Sequence, residues 1–185
     1  MQISDAVANA MLDAIETVIG AWAKLELRTG SAPANTVDSD SGTLLCELSL
    51  PSDWLANAAS RAKGKNGAWI GTAVGNGTAQ HYRIKISGGT CHLQGPVSYA
   101  AAAWAGSTSY TIGQRRRNGG NVYICVTAGT SASSGGPSGT GSGITDGSVV
   151  WDYVQAYAEV QCDNINIAID QFITVTTFTI TAGNA

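Results

Sequence analysis

Three consecutive arginines form the most concentrated charge in this sequence. Arg115, Arg116 and Arg117 lie beside an Asn-Gly-Gly turn and precede the apolar segment 121–126. Such a row could bind nucleic acid, pair with the carboxylates of a neighbouring subunit, or be the solvated tip of a hairpin. A nucleic-acid surface needs a wider basic patch with interleaved aromatic residues, and nothing else in the sequence extends this cluster. We therefore expect no nucleic-acid partner, and the three arginines are candidate contacts for a protein partner.

Residues suited to catalysis are few. The two histidines, His81 and His92, fall in strand-like segments with no Ser or Cys motif nearby. The sequence has no G-x-S-x-G, H-E-x-x-H, phosphate-loop or dinucleotide fingerprint, and acidic residues are ordinary in turns. We expect no enzyme and no catalytic residue. Two pairs of acids have spacings that a glycoside hydrolase could use: Asp38 with Asp40, and Asp152 with Glu159.

The cysteines do not suggest a metal centre. Cys46, Cys91, Cys125 and Cys162 lie far apart, and no pair has the C-x-x-C spacing of a zinc site. Their count allows two disulfides in three pairings. Each lies in a strand-like run, where a free cysteine is a small buried hydrophobic residue. We expect neither a metal nor a cofactor.

Composition favours a β-rich protein. Only 12% of the 185 residues are charged, about half the usual share, and 44% are hydrophobic. The net charge of −3 gives no general attraction to nucleic acid or anionic membranes. The N-terminal segment lacks a basic leader, and no apolar run approaches the roughly 20 residues that cross a bilayer. We expect a soluble protein with no membrane partner.

The sequence begins with a predicted helix and continues with predicted strands. Ser4 can cap the helix, Gly20 can end it, and its apolar face must cover either the sheet or a neighbouring subunit. The residues of that predicted face are Val7, Met11, Ile15, Val18 and Ile19. Strand-like segments follow at 21–28, 44–50, 68–74, 81–87, 90–98, 158–169 and 172–181.

Two local patterns among the strands lead to specific expectations. Residues 75–80 have the composition of a hairpin between the strands 68–74 and 81–87. Within 81–87, Tyr82, Ile84 and Ile86 alternate with His81, Arg83 and Lys85, which predicts a half-buried strand. Residues 29–43 form a polar loop. Trp54 and Leu55 are expected to tuck an irregular turn against the core.

The fold class follows from these elements. One helix and six to eight short strands predict a mainly β protein, an antiparallel β-sandwich or jelly-roll-like body with an N-terminal helix. Between 98 and 156 aromatic residues become denser and a long Gly/Ser stretch appears. We interpret 98–156 as a small inserted β module, and 1–97 with 157–185 as the body.

The insert resembles the small chitin- and cellulose-binding modules of the family 5/12 type. The matching residues are Ala103-Trp104, Tyr110, Gly113, the "GGNVYICV" segment with Gly120 and Tyr123, and Trp151. The resemblance implies a three-stranded sheet framed by aromatic residues. Where that family has exposed aromatics after the Gly-x-x-Tyr strand, this chain has "ICVTAGTSASSGG". Trp104, Tyr110, Tyr123 and Trp151 are the candidate glycan or surface contacts, with packing in the core as the other interpretation.

The body resembles a family of small virion-associated proteins of tailed phages. The segments that carry the resemblance are "SDAVANAMLDAIETVIG", "LRTGSAPAN", "LPSDWLANAA", "GTCHLQGPV" and "FTITAGNA". The resemblance implies a capsid decoration or cement protein, made in the host cytoplasm and located on the capsid surface. Its partners would be the major capsid protein and further copies of itself. The helix at 4–19 and the strand at 172–181 are the candidate contact elements, with ordinary core packing as the alternative.

Two other roles in a virion are open at this point. The protein could be a tail-tip or receptor-binding protein whose insert attaches to a host surface glycan. It could also be a head-to-tail adaptor, which would be present as a single ring of copies.

Overall fold

The computed structural model describes residues 2–183; Met1 and the last two residues of the predicted polar tail, Asn184 and Ala185, lie outside the described residues. The described chain is mainly β, as predicted. In chain order its elements are α1 Asp5–Ile19, β1 Lys24–Arg28, β2 Leu44–Ser49, β3 Ala62–Gly64, β4 Ile70–Thr72, β5 Gly77–Thr78, β6 His81–Lys85, β7 Cys91–Tyr99, β8 Ala102–Ala103, β9 Ser109–Tyr110, β10 Arg115–Asn118, β11 Asn121–Thr127, β12 Gly129–Thr130, β13 Ile144–Asp146, β14 Val149–Ala156, β15 Val160–Cys162, β16 Asn166–Ile167 and β17 Phe172–Thr181.

Both ends of the predicted helix are confirmed. The Ser4 hydroxyl accepts a hydrogen bond from the Val7 N–H at 3.4 Å, which satisfies one of the unpaired donors of the first turn. Gly20, at φ 81°, ends the helix, and its N–H donates to the Glu16 carbonyl at 2.7 Å. A residue with a Cβ is strained at that φ, so glycine is the residue expected there.

The body is built around one curled, eight-stranded sheet. Its strands follow the order β2-β1-β6-β7-β15-β17-β3, and β4 pairs with β17. The curl brings β4 to β2, where Cys46 bridges to Ala73 and the Val74 N–H donates to the Leu45 carbonyl at 2.8 Å. The sheet therefore nearly closes on itself, as a β-sandwich-like body does, and few strand edges stay open.

Aromatic side chains fill the interior of the curled sheet. Trp54 and Leu55 are fully buried, as expected from the sequence, and Trp54 contacts Trp69 with ring centroids 5.9 Å apart. Trp69 in turn lies 5.4 Å from Phe178. Edge-to-face and tilted contacts of this kind add about 0.5–1.5 kcal/mol per pair to the burial itself.

The predicted hairpin between 68–74 and 81–87 is wrong. β4 pairs with β17, far away in sequence, while β6 lies between β1 and β7. The residues that separate them include β5, which pairs with β16. The turn-like composition of 75–80 thus marks a change of partner within the sheet.

The predicted solvent face of β6 is also wrong, because His81, Arg83 and Lys85 are all buried. The polar loop 29–43 covers this face. Arg83 donates to the carbonyls of Thr36 at 2.6 Å and Asp38 at 3.1 Å. Its guanidinium therefore replaces water for the backbone of the loop.

A buried ion network fixes the same loop. The Lys85 ammonium lies 2.7 Å from a Glu26 oxygen and 2.6 Å from an Asp40 oxygen. Burial raises the pKa of Asp40, but the hydrogen bond from Lys85 and the charges of Lys85, Arg28 and Arg83 outweigh burial, so the pKa lies below its usual range. The Asp40 carboxylate therefore stays charged at neutral pH and anchors the loop.

The chain divides into two compact units at Val97/Ser98 and Tyr157/Ala158. The sequence placed the second boundary one residue earlier. The unit formed by 98–157, called the module below, has a five-stranded sheet in the order β13-β14-β11-β10-β8 and a small pair of β9 with β12. Its pairs are antiparallel except for β8 with β10. All four cysteines are free and buried.

The buried His81 predicts a dependence of stability on pH. Burial lowers its pKa below the ordinary 6.5, with the nearby Arg28 and Arg83 lowering it further, against the opposing effects of the Gly30 carbonyl and Asp40. The folded state therefore holds His81 neutral, with Nε2 lacking a hydrogen-bond partner among the described residues. Protonation favours the unfolded state, so stability falls as the pH drops below about 6.5, by at most about 1.4 kcal/mol per pH unit.

Urea unfolding between pH 5 and pH 8 measures this effect. His81→Asn keeps a donor toward the Gly30 carbonyl, 2.7 Å from Nδ1, and should flatten the pH profile. His92→Asn, at an exposed position, should keep the wild-type slope. Equal slopes in the two variants would show that His81 is not the titrating group.

Candidate functional site

The structure contradicts three of the four candidate glycan contacts. Tyr110, Tyr123 and Trp151 are at most 2% exposed and form the core of the module with Cys125 and Val149. Tyr110 meets Trp151 edge to face at 5.0 Å between centroids. The module has few aliphatic residues to bury, so its large aromatics serve as the core and offer no free face to a sugar ring.

The fourth candidate, Trp104, is half-buried and fixed by a carboxylate. Its Nε1 donates to Asp146 Oδ2 at 2.7 Å, and the Trp151 Nε1 donates to the same oxygen at 3.1 Å. The other oxygen of Asp146 accepts from the Ala132 N–H at 3.0 Å. Asp146 thus joins two indoles and a loop backbone at one buried point.

The Gly/Ser stretch of the module is attached to its strands by hydrogen bonds. Asn118 Nδ2 donates to the Gly135 and Pro137 carbonyls at 2.8 and 3.0 Å, and the Tyr123 hydroxyl donates to the Gly139 carbonyl at 2.9 Å. Gly136 has φ +71°, and a Cβ there would lie 2.8 Å from the Trp104 ring. Glycine at 136 therefore allows the loop to cover Trp104.

The arginine row lies in a strand, and its placement at a hairpin tip is wrong. Arg115, Arg116 and Arg117 belong to β10, which is hydrogen-bonded to β11 on one side and β8 on the other. The turn itself is formed by Gly119 and Gly120, both at positive φ, as in the tight turns that join twisted strands. Arg115 and Arg116 are half-buried, and Arg117 is exposed.

Each arginine stacks on a tyrosine of the module. The distances from guanidinium carbon to ring centroid are 3.9 Å for Arg115 over Tyr99, 5.0 Å for Arg116 over Tyr110 and 4.9 Å for Arg117 over Tyr157. Cation–π contacts contribute about 0.5–1 kcal/mol when exposed and about 2 kcal/mol when desolvated. Tyr99 and Tyr157 lie near the first and last residues of the module. The contacts of Arg115 and Arg117 with these tyrosines therefore hold both ends of the module against β10.

Within the part of the chain that the structure describes, ion pairing does not neutralise the charge of this row. Among residues 2–183, the carboxylates within 4 Å of a cation all pair with cations other than these three arginines. Arg117 lines a shallow surface pocket with Ala103, Asn118 and Tyr157. The three arginines are thus unequal candidates for partner contact, because Arg117 is exposed whereas Arg115 and Arg116 are half-buried.

Helix α1 is oriented with polar side chains inward. Glu16 Oε1 accepts from the N–H groups of Trp54 at 2.8 Å and Leu55 at 2.9 Å. Asp13 Oδ1 accepts from the Ala58 N–H at 2.9 Å and from Lys63 Nζ at 2.8 Å, and these bonds, the Lys63 bond first, lower the Asp13 pKa. Asn9 accepts from the Arg61 N–H at 2.9 Å. The helix thereby satisfies backbone donors of the irregular segment 54–61.

The predicted apolar face of α1 is largely wrong for this reason. The helix buries Ala8, Leu12 and Ile19, whereas Val7, Met11 and Val18 are 48%, 59% and 67% exposed. Together with the exposed Ala14, these three form a charge-free line along the helix, called the helix stripe below. The sequence did contain the signal, since Asn9, Asp13 and Glu16 follow the same helical spacing on the opposite side.

A second exposed apolar surface lies where β4 pairs with β17. Phe172 is opposite Thr72, and Thr174 is opposite Ile70, so their side chains share one face of the sheet. Phe172 is 72% exposed, and Ile70 and Val74 are more than half exposed. Phe172, Ile70 and Val74 are called the strand patch below. The sequence makes the strand 172–181 a candidate contact element, but it does not single out these three residues.

His81, His92 and Asp152 lie on three different strands, and Asp40 lies in the polar loop. His81 is buried in β6, while His92 is exposed on β7. Asp40 belongs to the ion network, and Asp152 accepts the Gly143 N–H at 2.7 Å within the module. Within residues 2–183, no three His, Cys, Asp or Glu side chains are grouped as metal ligands. No helix of that part of the chain has the length and apolarity to span a bilayer.

Comparison with protein-family models, with curated proteins and with solved structures gave no match.

Asp146→Ala should destabilise the protein more than Asp152→Ala, the same change at the other carboxylate of the module. Two indole N–H groups, one buried and one half-buried, and one backbone N–H would lose their acceptor, at a cost of roughly 2–4 kcal/mol. Asp152→Ala removes one exposed hydrogen bond and should cost less than about 1 kcal/mol. Denaturant unfolding followed by tryptophan fluorescence compares the two; equal losses would refute a central role for Asp146.

Proposed function

We propose that this protein is a capsid decoration protein of a tailed phage, which adheres to the outer surface of the shell and stabilises it. Its partner is the major capsid protein, and its action is adhesive, with no catalytic step. The resemblance of the body segments to virion-associated proteins supports this role. The structural observation that carries it is the strand patch, a rigid apolar surface on the body.

The strand patch has the chemistry of a protein-docking surface. Phe172 is 72% exposed, and Ile70 and Val74 are also exposed. Burying a side chain of this size contributes about 1.5–3 kcal/mol, so leaving three of them in water is a cost that a partner would remove. Aromatic anchors surrounded by smaller contacts are typical of interface hot spots.

The backbone beneath the patch is ordered before any partner binds. β17 is held by β15, β3 and β4 along its ten residues, and the Ala73 N–H and carbonyl bond to Gln171 and Asp170. A preorganised surface loses little conformational entropy on docking. The same anchor therefore contributes more affinity here than it would on a flexible loop.

The stabilising mechanism would be mechanical. A decoration protein that contacts two shell subunits adds buried area to their junction, and a specific interface buries roughly 800 Å² on each partner. The strand patch would supply the apolar centre of that contact, with Thr72 and Thr174 beside it. Repetition of the contact over the shell multiplies a modest gain per copy.

Attachment to a host glycan, the alternative role, has weaker support. Stacking on sugars needs open aromatic faces, and in the module Tyr110, Tyr123 and Trp151 are buried. Trp104 has its indole N–H bonded to Asp146. The module is better suited to being displayed as a compact domain on the outside of the shell.

Binding to undecorated capsids tests the proposal. Capsids of the phage that encodes this chain, prepared from a mutant lacking it, should bind the purified protein at a copy number set by icosahedral symmetry and should rupture at a higher temperature. Phe172→Asp should weaken binding by about 30-fold or more, equivalent to a hot spot of roughly 2 kcal/mol. Ile112→Asp, a matched change at a 70% exposed position of the module, should bind as the wild type does.

Two outcomes would contradict the role. Wild-type protein that leaves capsids bare while binding a glycan array would favour receptor attachment. Equal capsid binding by the Phe172 and Ile112 variants would remove the strand patch from the contact.

A further inference from the structure

The helix stripe has the spacing of a helix-pairing seam. Val7, Met11, Ala14 and Val18 follow one another at intervals of four, three and four residues. This is the alternation that places one side chain per turn on the line where two helices meet. The 15-residue helix is long enough to present the whole line to a partner.

The exposure of the stripe is imposed by the body. Rotating α1 to bury Met11 would break the bonds from Glu16 and Asp13 to the backbone N–H groups of Trp54, Leu55 and Ala58. Each buried donor left without an acceptor costs about 1–3 kcal/mol. The apolar line therefore cannot be satisfied within its own chain.

The fully exposed positions of the helix around the stripe carry no charge that would oppose a second apolar surface. Between positions 6 and 18, the exposed side chains are Ala6, Val7, Ala10, Met11, Ala14, Thr17 and Val18. A shallow groove of about 280 Å³ is lined by Met11, Ala14 and Val18 of the stripe and by His92 and Leu93. Side chains of a facing helix could enter this groove between the turns of α1.

We propose that the helix stripe binds the helix stripe of a second copy of this chain, in antiparallel orientation. A two-fold axis midway along the stripe would place Met11 opposite Ala14 of the second copy, and Val7 opposite its Val18. The longest side chain then meets the smallest, and the two valines fill the ends, so the surface is complementary to itself. The alanines allow the backbones to approach closely.

The antiparallel orientation also follows from electrostatics. It brings the positive N-terminal end of each helix dipole beside the negative C-terminal end of the other. A parallel pair would place like ends together and Met11 against Met11, with Ala14 facing Ala14 across a gap. The antiparallel register avoids both the crowding and the gap.

The pairing goes beyond the proposed function and does not require a shell. The stripe is smaller than a standard interface of roughly 800 Å² per partner, so the isolated dimer should be weak, with a Kd on the order of 10 µM. Copies held side by side on a larger assembly would pair more completely because their effective concentration is higher.

Sedimentation equilibrium of the full chain between about 1 and 300 µM measures the pairing. The wild type should pass from monomer to dimer in this range, and Met11→Glu should weaken the dimer at least tenfold while leaving the melting temperature unchanged, since Met11 is 59% exposed. Thr17→Glu adds the same charge at an exposed position beside the stripe and should dimerise like the wild type. A wild type that stays monomeric, or a Met11→Glu variant that dimerises fully, would overturn the proposal.

Cysteine cross-linking tests the register. Under mild oxidation, an equimolar mixture of the Met11→Cys and Ala14→Cys single variants should form a disulfide-linked dimer containing one copy of each, because the antiparallel register brings these two positions together. Met11→Cys alone should not, since its copies would be offset along the axis beyond the reach of a disulfide. Efficient linking by Met11→Cys alone would show parallel pairing and overturn the antiparallel one. The wild type, whose four cysteines are buried, gives the background.

Discussion

The orientation of helix α1 is fixed by hydrogen bonds from the body's backbone to its polar side chains, and this orientation leaves the helix stripe exposed. Glu16, Asp13 and Asn9 accept from four backbone N–H groups of the segment 54–61, most of which lies outside the regular strands. Each such bond prevents a loss of about 1–3 kcal/mol. The total stabilisation from these four hydrogen bonds is comparable to the stabilisation that burying the apolar helix stripe would give.

The module uses its aromatic residues for cohesion. Its core is built from Tyr110, Tyr123 and Trp151. The Asp146 carboxylate accepts hydrogen bonds from the indoles of Trp104 and Trp151. The arginines of β10 stack on tyrosines of the same unit. Residue types that often mark a ligand site thus serve in holding together a unit of only 60 residues.

The sequence predicted local features better than long-range ones. The bounds of α1 and of β17 follow from capping residues and alternation, which are properties of neighbouring residues. The partner of β4 does not follow from such patterns, because the choice between β6 and β17 is made by the closure of the whole sheet. Arg83 is buried because the polar loop 29–43 lies over it. The alternation of residues along β6 gives no indication that a loop covers this face.

The candidate surfaces were harder still to predict. α1 has apolar residues on two sides, and an apolar line on a helix is normally assigned to the core. The polar line Asn9, Asp13 and Glu16 decides the orientation, but its effect depends on unsatisfied donors elsewhere in the chain. For the strand patch, alternation along β17 predicts which residues share a face, while the exposure of that face depends on how the sheet curls.

Amide hydrogen exchange, resolved by residue, tests the inward polar contacts of α1 most directly. Protection of the Trp54, Leu55, Ala58 and Arg61 N–H groups is predicted in the wild type, although they lie outside the regular elements. Glu16→Ala should remove protection from Trp54 and Leu55 while β1 and β6 stay protected. Rapid exchange of these amides in the wild type, or unchanged protection in Glu16→Ala, would contradict the account of the helix and of the surface it exposes.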